Sequence, residues 1–361
     1  MRRKLAVALL VSAGLLARPA LAAEYRFEKV ATIYLPTENG HGDIVTYDRS
    51  NGMVYVSLKG DGLAVIDTRT NTVVHTIKDI PQPNGNDWDA DHVYVAAAEG
   101  APQGMNGGNN GTGFGHVTNE IVVISKHSWT VVGRVPTQGT TPDWVGVDRE
   151  HGMLYVDSDD RNFMEAYSTG DHPQLKGVWH LYPLNINHWW MDTADFTGPD
   201  VAWIGRNGRE IFQSVDQYVE VIDTSTGNVA RHADTGVELT KKGGTKGEWL
   251  DERNNRLWVA STSKKPGMIV LNPETLQVAK TIPQTGGVDQ LVADPGLGLI
   301  YAFVSSPGGF DVYDANTMEH VAWVPTGVKT THTGDVDTTT HMVYVYEGDR
   351  ASLGVYKPVR Q

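Results

Sequence analysis

The chain has 361 residues, a net charge of −13 at pH 7 and no cysteine. The absence of cysteine excludes disulfides, thiolate catalysis and every cysteine-ligated metal or iron–sulfur site. The negative charge disfavours nucleic acid as a partner, because such binding depends on neutralising phosphates. It mildly favours a cation or a basic protein instead.

Residues 1–22 have the pattern of a signal peptide. Arg2, Arg3 and Lys4 precede a short apolar run at 5–16, and a small-residue cleavage site follows at 20–22. We expect cleavage after residue 22 or 23 and export to the periplasm, with an uncleaved membrane anchor as the alternative. No later stretch of the sequence is predicted to span a membrane. Losing four of the 30 basic residues and none of the 43 acidic ones gives the mature chain a net charge of −17.

A short hydrophobic phrase with one aromatic residue recurs along the mature chain, and we predict that it is the second strand of each repeat. The phrase begins as Met-Val-Tyr-Val at 53–56, and its aromatic residues recur at intervals of 39 to 61 residues, the last two being 43. Each phrase is flanked by Asp or Asn turns, as in Val-Ile-Asp-Thr at 65–68. Repeats of this length with four short strands are typical of propeller blades. The fold is therefore predicted to be all-β, with residues 24–361 forming one seven-bladed β-propeller. The seven aromatic residues are Tyr55, Tyr94, Tyr155, Trp203, Trp258, Tyr301 and Tyr344.

The seventh repeat lacks a fourth strand of its own. The segment Lys-Val-Ala-Thr-Ile at 29–33 is similar to the fourth strand of the fifth repeat, Val-Ala-Lys-Thr-Ile at 278–282. We therefore expect the mature N-terminal strand to pair into blade 7 and close the ring. Closure would remove the free edges that an open sheet exposes.

The recurring phrases and their flanking aspartate turns resemble those of the YVTN-repeat propellers, a YncE-like family of exported bacterial proteins. The resemblance covers essentially the whole mature chain. It implies a seven-bladed scaffold, and because this scaffold has several uses it implies little about function.

Polar residues cluster where the chain enters the innermost strand of each blade, on the face that we call the top. The top face also carries the loops that join second and third strands, and rigid scaffolds tend to place function on such loops. Imidazole and carboxylate are the usual ligands of divalent transition metals where cysteine is absent, so His41, His188, Glu248 and His332 are the predicted metal ligands. The predicted ligand-binding residues are Trp88, His116, Asp143, Trp144, Trp189, Trp190, Arg206, Trp249 and Asp289. The alternative is that the polar groups cap backbone at the channel mouth and the tryptophans pack between blades.

Two insertions add to this prediction. Residues 101–118 of blade 2 are rich in glycine and contain Phe114 and His116, so we predict a mobile lid over the top face, with an unspecialised loop as the alternative. Arg206 and Arg209 of blade 4 are expected in the equivalent loop. There they would offer forked donors to a carboxylate or phosphate ligand, or form surface ion pairs.

Together these features predict a periplasmic binding propeller that holds a small molecule or a divalent transition metal at the top of its channel. A periplasmic protein is the other class of partner. One alternative function is a metal-dependent lyase or hydrolase with a histidine base, by analogy with virginiamycin B lyase, a similar propeller whose motif we cannot match here residue by residue. A protein-docking scaffold is the other.

Overall fold

The computed structural model describes residues 25–37, 41–98, 119–139, 141–158, 162–182, 198–240 and 243–361. Twenty-eight strands form seven antiparallel four-stranded sheets, and the only helical element among these residues is a 3-10 turn at Gly348–Arg350. The innermost strands of successive sheets contact one another in cyclic order. The prediction of an all-β, seven-bladed propeller is therefore confirmed.

The first three blades use strands β2 to β13. Their bounds are Gly42–Asp48, Met53–Leu58, Gly62–Asp67 and Thr72–Ile77 in blade 1, Pro83–Trp88, His92–Ala98, Asn119–Ser125 and Thr130–Pro136 in blade 2, and Pro142–Asp148, Met153–Ser158, Phe163–Ser168 and Leu175–His180 in blade 3.

The next three blades use strands β14 to β25. Their bounds are Trp203–Gly205, Glu210–Val215, Tyr218–Asp223 and Asn228–Asp234 in blade 4, Thr245–Asp251, Arg256–Ser261, Gly267–Leu271 and Val278–Pro283 in blade 5, and Val288–Asp294, Leu299–Val304, Gly309–Asp314 and Glu319–Pro325 in blade 6.

Blade 7 is built from both ends of the described chain. Strands β26 (Thr331–Asp337), β27 (Met342–Glu347) and β28 (Ser352–Arg360) pair with β1 (Tyr25–Tyr34), which is the outermost strand of the sheet. In this antiparallel pairing Ile33 lies opposite Leu353. The predicted closure by the N-terminal strand is therefore confirmed.

The aromatic residue of each second strand anchors the core between blades. Six of the seven predicted aromatic residues occupy this position, and they are at most 2% exposed. The assignment in blade 4 was wrong: Trp203 lies in the innermost strand, and the second strand is Glu210–Val215. Phe212 pairs with Trp203 and so takes the position that Tyr155 holds in blade 3. The error arose because Val-Ala-Trp-Ile at 201–204 has the same hydrophobic pattern as a second strand.

Aspartates at the ends of the innermost strands cap the turns into the second strands. The Asp48 carboxylate accepts hydrogen bonds from the backbone N–H and the hydroxyl of Ser50, and Asp148, Asp294 and Asp337 accept equivalent backbone bonds. Because an Asp side chain that bonds the backbone two residues ahead stabilises a turn, these aspartates explain the recurring Asp-turn signal. These turns define the bottom face of the disc.

Side chains also tie neighbouring innermost strands together. Asp87 accepts a hydrogen bond from the backbone N–H of Val147 at 2.8 Å, and Thr333 donates to the backbone oxygen of Asp43 at 2.6 Å. Such bonds satisfy polar groups that would be costly to bury unpaired. The channel wall is therefore a rigid frame for the side chains that point into it.

Candidate functional site

Seven equivalent positions form a polar ring at the top of the channel. Each is the second residue at the top end of an innermost strand, and in blade 4 the isolated pairing of Pro199 with Val215 sets the register that makes Asp200 equivalent to Asp143. The ring residues, in blade order, are Asp43, Asn84, Asp143, Asp200, Lys246, Asp289 and His332. The same position in every blade thus carries a polar or charged side chain, which we call the top ring.

Ion pairs link most of the top ring. His332 bridges two carboxylates, with its Nε2 at 3.4 Å from Asp43 and its Nδ1 at 3.1 Å from Asp289. Lys59, from the turn after β3, lies 2.5 Å from Asp43. Lys246 pairs with Asp200 and lies 3.8 Å from Asp289.

These contacts set the charge of His332. Burial alone would lower its pKa, but hydrogen bonds to Asp289 and Asp43 and the charges of both carboxylates outweigh burial and raise the pKa to about 10. His332 in turn lowers the pKa of Asp289, and Lys59 and His332 together lower the pKa of Asp43, although burial acts in the opposite direction at both carboxyls. At neutral pH His332 is therefore an imidazolium held between two carboxylates.

Asp143 has the opposite electrostatic environment. Burial raises its pKa, the charges of Asp43 and Asp200 raise it further, and Lys59 and Lys246 offset only part of this, so the pKa is about 7. Asp143 is thus the one ring carboxyl that lacks a close cation among the described residues.

Of the predicted metal ligands that the structure describes, His41 and His332 are neighbours and Glu248 lies apart from them. A metal at His332 would have to displace the proton that Asp43 and Asp289 stabilise, because ligation needs the neutral ring. Glu248 is 1% exposed, accepts a hydrogen bond from Ser214 at 2.9 Å and contacts no ring histidine. His41 is close enough to His332 for their charges to interact. Across the described ranges there is no group of three His, Asp or Glu side chains arranged to hold a metal, and His188 lies outside those ranges.

A second site opens on the bottom face. A cavity of about 770 Å³ extends from the turns between first and second strands into the channel. Its wall includes four tryptophans, and four arginines approach its mouth. These residues are Trp88, Trp144, Trp203, Trp249, Arg49, Arg149, Arg206 and Arg253. We call this space the bottom cavity.

The tryptophans of the bottom cavity also pack between blades. Trp88, Trp144 and Trp249 are 6%, 9% and 8% exposed and belong to three different interblade clusters. Trp88 donates its indole N–H to the backbone oxygen of Tyr47 at 3.2 Å. The Arg149 guanidinium lies 3.8 Å from the centre of the Trp88 ring, a cation–π contact. Each tryptophan therefore has a structural role and also contributes apolar surface to the wall.

The predicted ligand-binding residues are thus divided between the two faces. Asp143 and Asp289 belong to the top ring, whereas Trp88, Trp144, Trp249 and Arg206 line the bottom cavity. The expectation that Arg206 lies in a top loop is wrong, because its turn joins the first and second strands of blade 4. The predicted ligand-binding residues that the structure describes therefore do not form one group at the top of the channel. The reason is that each tryptophan follows an acidic residue, and these acidic residues lie at different positions along their strands.

Several predictions fall on residues outside the described ranges. These include the signal peptide, His116, Trp189 and Trp190, and all of the predicted lid. The strands that flank the blade 2 insertion end at Ala98 and begin again at Asn119, both at the top face.

Sequence reasoning missed Lys59, Asp200 and Trp203. The repeat register, once fixed, would have identified Asp200 as a ring residue, and Trp203 was assigned to the wrong strand. Lys59 gave no such signal, because it reaches the ring from a turn whose length varies among the blades.

Comparison with known proteins agrees on the fold. No protein-family model and no curated protein sequence matches the chain. A chain of a mitotic checkpoint complex superposes with a TM-score of 0.70 at 11% identity, covering 98% of this chain and 100% of that one. The β-propeller domain of Cps50 (Swd1) from Myceliophteria thermophila gives a TM-score of 0.70 at 9% identity over 92% and 99% of the two chains.

A chain of hydrazine synthase from Kuenenia stuttgartiensis gives a TM-score of 0.68 at 12% identity, covering 91% of this chain and 97% of that one. Within the described ranges no helix is both long and apolar enough to cross a membrane. Likeness at such low identity bears on the fold alone. By its strand order, ring closure and structural neighbours, the protein is a seven-bladed β-propeller.

Proposed function

We propose that this propeller is a binding protein that holds a planar, anionic organic molecule in the bottom cavity. The observation that carries the proposal is a cavity of about 770 Å³ with four tryptophans in its wall. Cavities that bind small ligands usually span ~300–1,000 Å³ and combine apolar walls with a few fixed polar groups. The bottom cavity has both properties.

Two arginines at the mouth offer guanidinium groups to an anion. Arg49 and Arg253 are exposed, and within the described part of the chain neither forms an ion pair. Of the acidic residues that line the same cavity, Asp148 caps its turn and Asp87 pairs with Arg149. Glu150 and Glu252 are exposed at the mouth and form no ion pair among the described residues. A guanidinium offers paired donors that match the geometry of a carboxylate, phosphate or sulfonate.

The proposal includes export, with the mature chain beginning at residue 23 or 24, and retains the YVTN-like family assignment. The intact mass of protein purified from a periplasmic fraction tests the cleavage. A lyase that uses His332 as its base is disfavoured, because an imidazolium between two carboxylates cannot accept a proton. A docking scaffold remains the second candidate, since one structural neighbour is a chain of a multi-protein complex.

The experiment is a calorimetric titration of the mature protein with 1-naphthalenesulfonate and, separately, with neutral 1-naphthalenemethanol. Saturable binding of both, with the sulfonate tighter, supports the proposal. The double variant Arg49→Gln/Arg253→Gln should weaken sulfonate binding roughly tenfold, about 1.4 kcal/mol, and leave the alcohol unchanged. Arg209→Gln is the matched control, because Arg209 is exposed near the same mouth but does not line the cavity. No saturable binding of either probe would overturn the proposal.

A further inference from the structure

Among the described residues, the top ring together with Lys59 has one more carboxyl group than it has cations. Four carboxyls (Asp43, Asp143, Asp200, Asp289) face three cationic side chains (Lys59, Lys246, His332). Asp43 and Asp200 each pair with a lysine ammonium, and Asp289 pairs with His332. Asp143 occupies the equivalent position in blade 3, and the described residues offer it no hydrogen-bond donor or ion-pair partner.

Near Asp143 the structure buries a further oxygen atom that has no donor among the described residues. Asp157 is fully buried, accepts the backbone N–H of Trp144 at 2.8 Å, and is close enough to Asp143 for their charges to interact. The Gln213 amide donates towards Asp157 at 3.4 Å and to the backbone oxygen of Asp200. Gln213 is 0% exposed, and its own Oε1 has no partner among the described residues.

A buried amide oxygen without a donor is costly, and native proteins usually satisfy such groups. This oxygen belongs to a side chain whose amide nitrogen contacts Asp157 and the backbone oxygen of Asp200, and the charges of both of these aspartates interact with Asp143. It is therefore a second feature, independent of the charge count, that calls for a donor here.

The chemistry of the missing group follows from its surroundings. The unsatisfied atoms are all oxygen acceptors, and the charge to be balanced is a single positive one. A primary ammonium carries one positive charge and three N–H donors. The ring already uses that group twice, at Lys59 and Lys246. A metal ion fits less well, since the described residues contain no group of three ligands arranged around one point.

We propose that the top ring binds one external primary ammonium at Asp143, beside Asp200 and above Asp157 and Gln213. The ammonium comes either from a small free amine or from a lysine side chain of a protein partner. This site is separate from the bottom cavity and does not depend on the function proposed for that cavity.

The experiment is a calorimetric titration of the full mature chain with methylammonium chloride at pH 8 and constant ionic strength. We expect saturable binding, and tetramethylammonium, which has the charge but no N–H donor, should not compete. Asp143→Asn should weaken binding roughly tenfold or more, about 1.4 kcal/mol. Glu319→Gln makes the same charge change on the exposed outer strand of blade 6 and should have no effect.

A second titration distinguishes the two sources. A blocked pentapeptide, Gly-Gly-Lys-Gly-Gly, that binds more tightly than methylammonium identifies a partner's lysine, whereas equal or weaker binding identifies a free amine. Circular dichroism and binding of 1-naphthalenesulfonate verify that Asp143→Asn is folded and leaves the bottom cavity intact. Equal methylammonium affinity in the wild type and Asp143→Asn, or no saturable binding, would overturn the proposal.

Discussion

The ion pair that joins the N-terminal strand to blade 7 provides a direct test of ring closure. Glu347 is fully buried, and the Lys29 ammonium donates to its two oxygens at 2.7 and 2.8 Å. Ser352 and Tyr356 hydroxyls also donate to this carboxylate, at 3.2 and 2.9 Å. Lys29 is the only one of these groups that β1 supplies, so its contribution measures how strongly closure is coupled to the core.

Replacing Lys29 by Met retains the aliphatic stem and removes the cation. Removing one partner of a buried ion pair typically costs ~3–5 kcal/mol. The cost should be lower here, because the Lys29 side chain is 27% exposed and Arg350 lies 3.8 Å from the same carboxylate. We expect the free energy of unfolding to fall by about 2–3 kcal/mol.

Urea unfolding of the wild type, Lys29→Met, Glu347→Gln and the double variant completes a double-mutant cycle. The coupling energy should be at least ~1 kcal/mol, since the two groups touch. Lys357→Met removes an exposed lysine from the adjacent strand β28 and should change stability by less than ~0.5 kcal/mol. Additive single-variant effects would refute the claim that this pair couples the N-terminal strand to blade 7.

Three further predictions concern the top ring. Because the pKa of Asp143 is about 7 when folded, the contribution of Asp143 to the free energy of unfolding should fall as pH rises from about 4 to 7. Relative to the wild type, Asp143→Asn should therefore gain about 1–2 kcal/mol of stability between pH 4 and pH 8, as urea unfolding would measure. The pKa of His332 is raised from its value near 6.5 in the unfolded chain to about 10 in the folded protein. Its contribution to the free energy of unfolding is therefore complete below pH 6.5 and is lost as pH rises to 10. His332→Gln should cost about 2 kcal/mol at pH 6 and little at pH 10.5. Gly85→Ala would place a Cβ against the backbone oxygen of Asp143, closer than van der Waals contact allows, and should lower stability by about 1–3 kcal/mol in the same assay.

The fold was predictable because its signals are local and repeated. Alternating hydrophobic strands, an aromatic residue in each second strand and an Asp cap at the end of most innermost strands recur often enough to fix the blade count. Ring closure was also predictable, since the β1 segment repeats a fourth-strand pattern that blade 7 lacks. Blade 4 was misread because Trp203 belongs to a hydrophobic stretch that could serve as either a first or a second strand.

The sites were only partly predictable, because their chemistry depends on register. Asp87, Asp143 and Glu248 each precede a tryptophan, yet they occupy the fifth, second and fourth positions of their innermost strands. A side chain's depth in the channel changes with each position. Sequence identified polar residues of the top ring, but only the structure shows that His332 is bonded on both sides and that Asp143 has no ion-pair partner among the described residues.

The most direct measurement of the central claim is an experimental structure of the mature protein crystallised with 1-naphthalenesulfonate. The account predicts electron density for the ring system against Trp144, Trp203 or Trp249, with the sulfonate directed towards Arg49 or Arg253. Density for the probe only at another surface, with the tryptophan-lined cavity free of it at saturating concentration, would contradict the account.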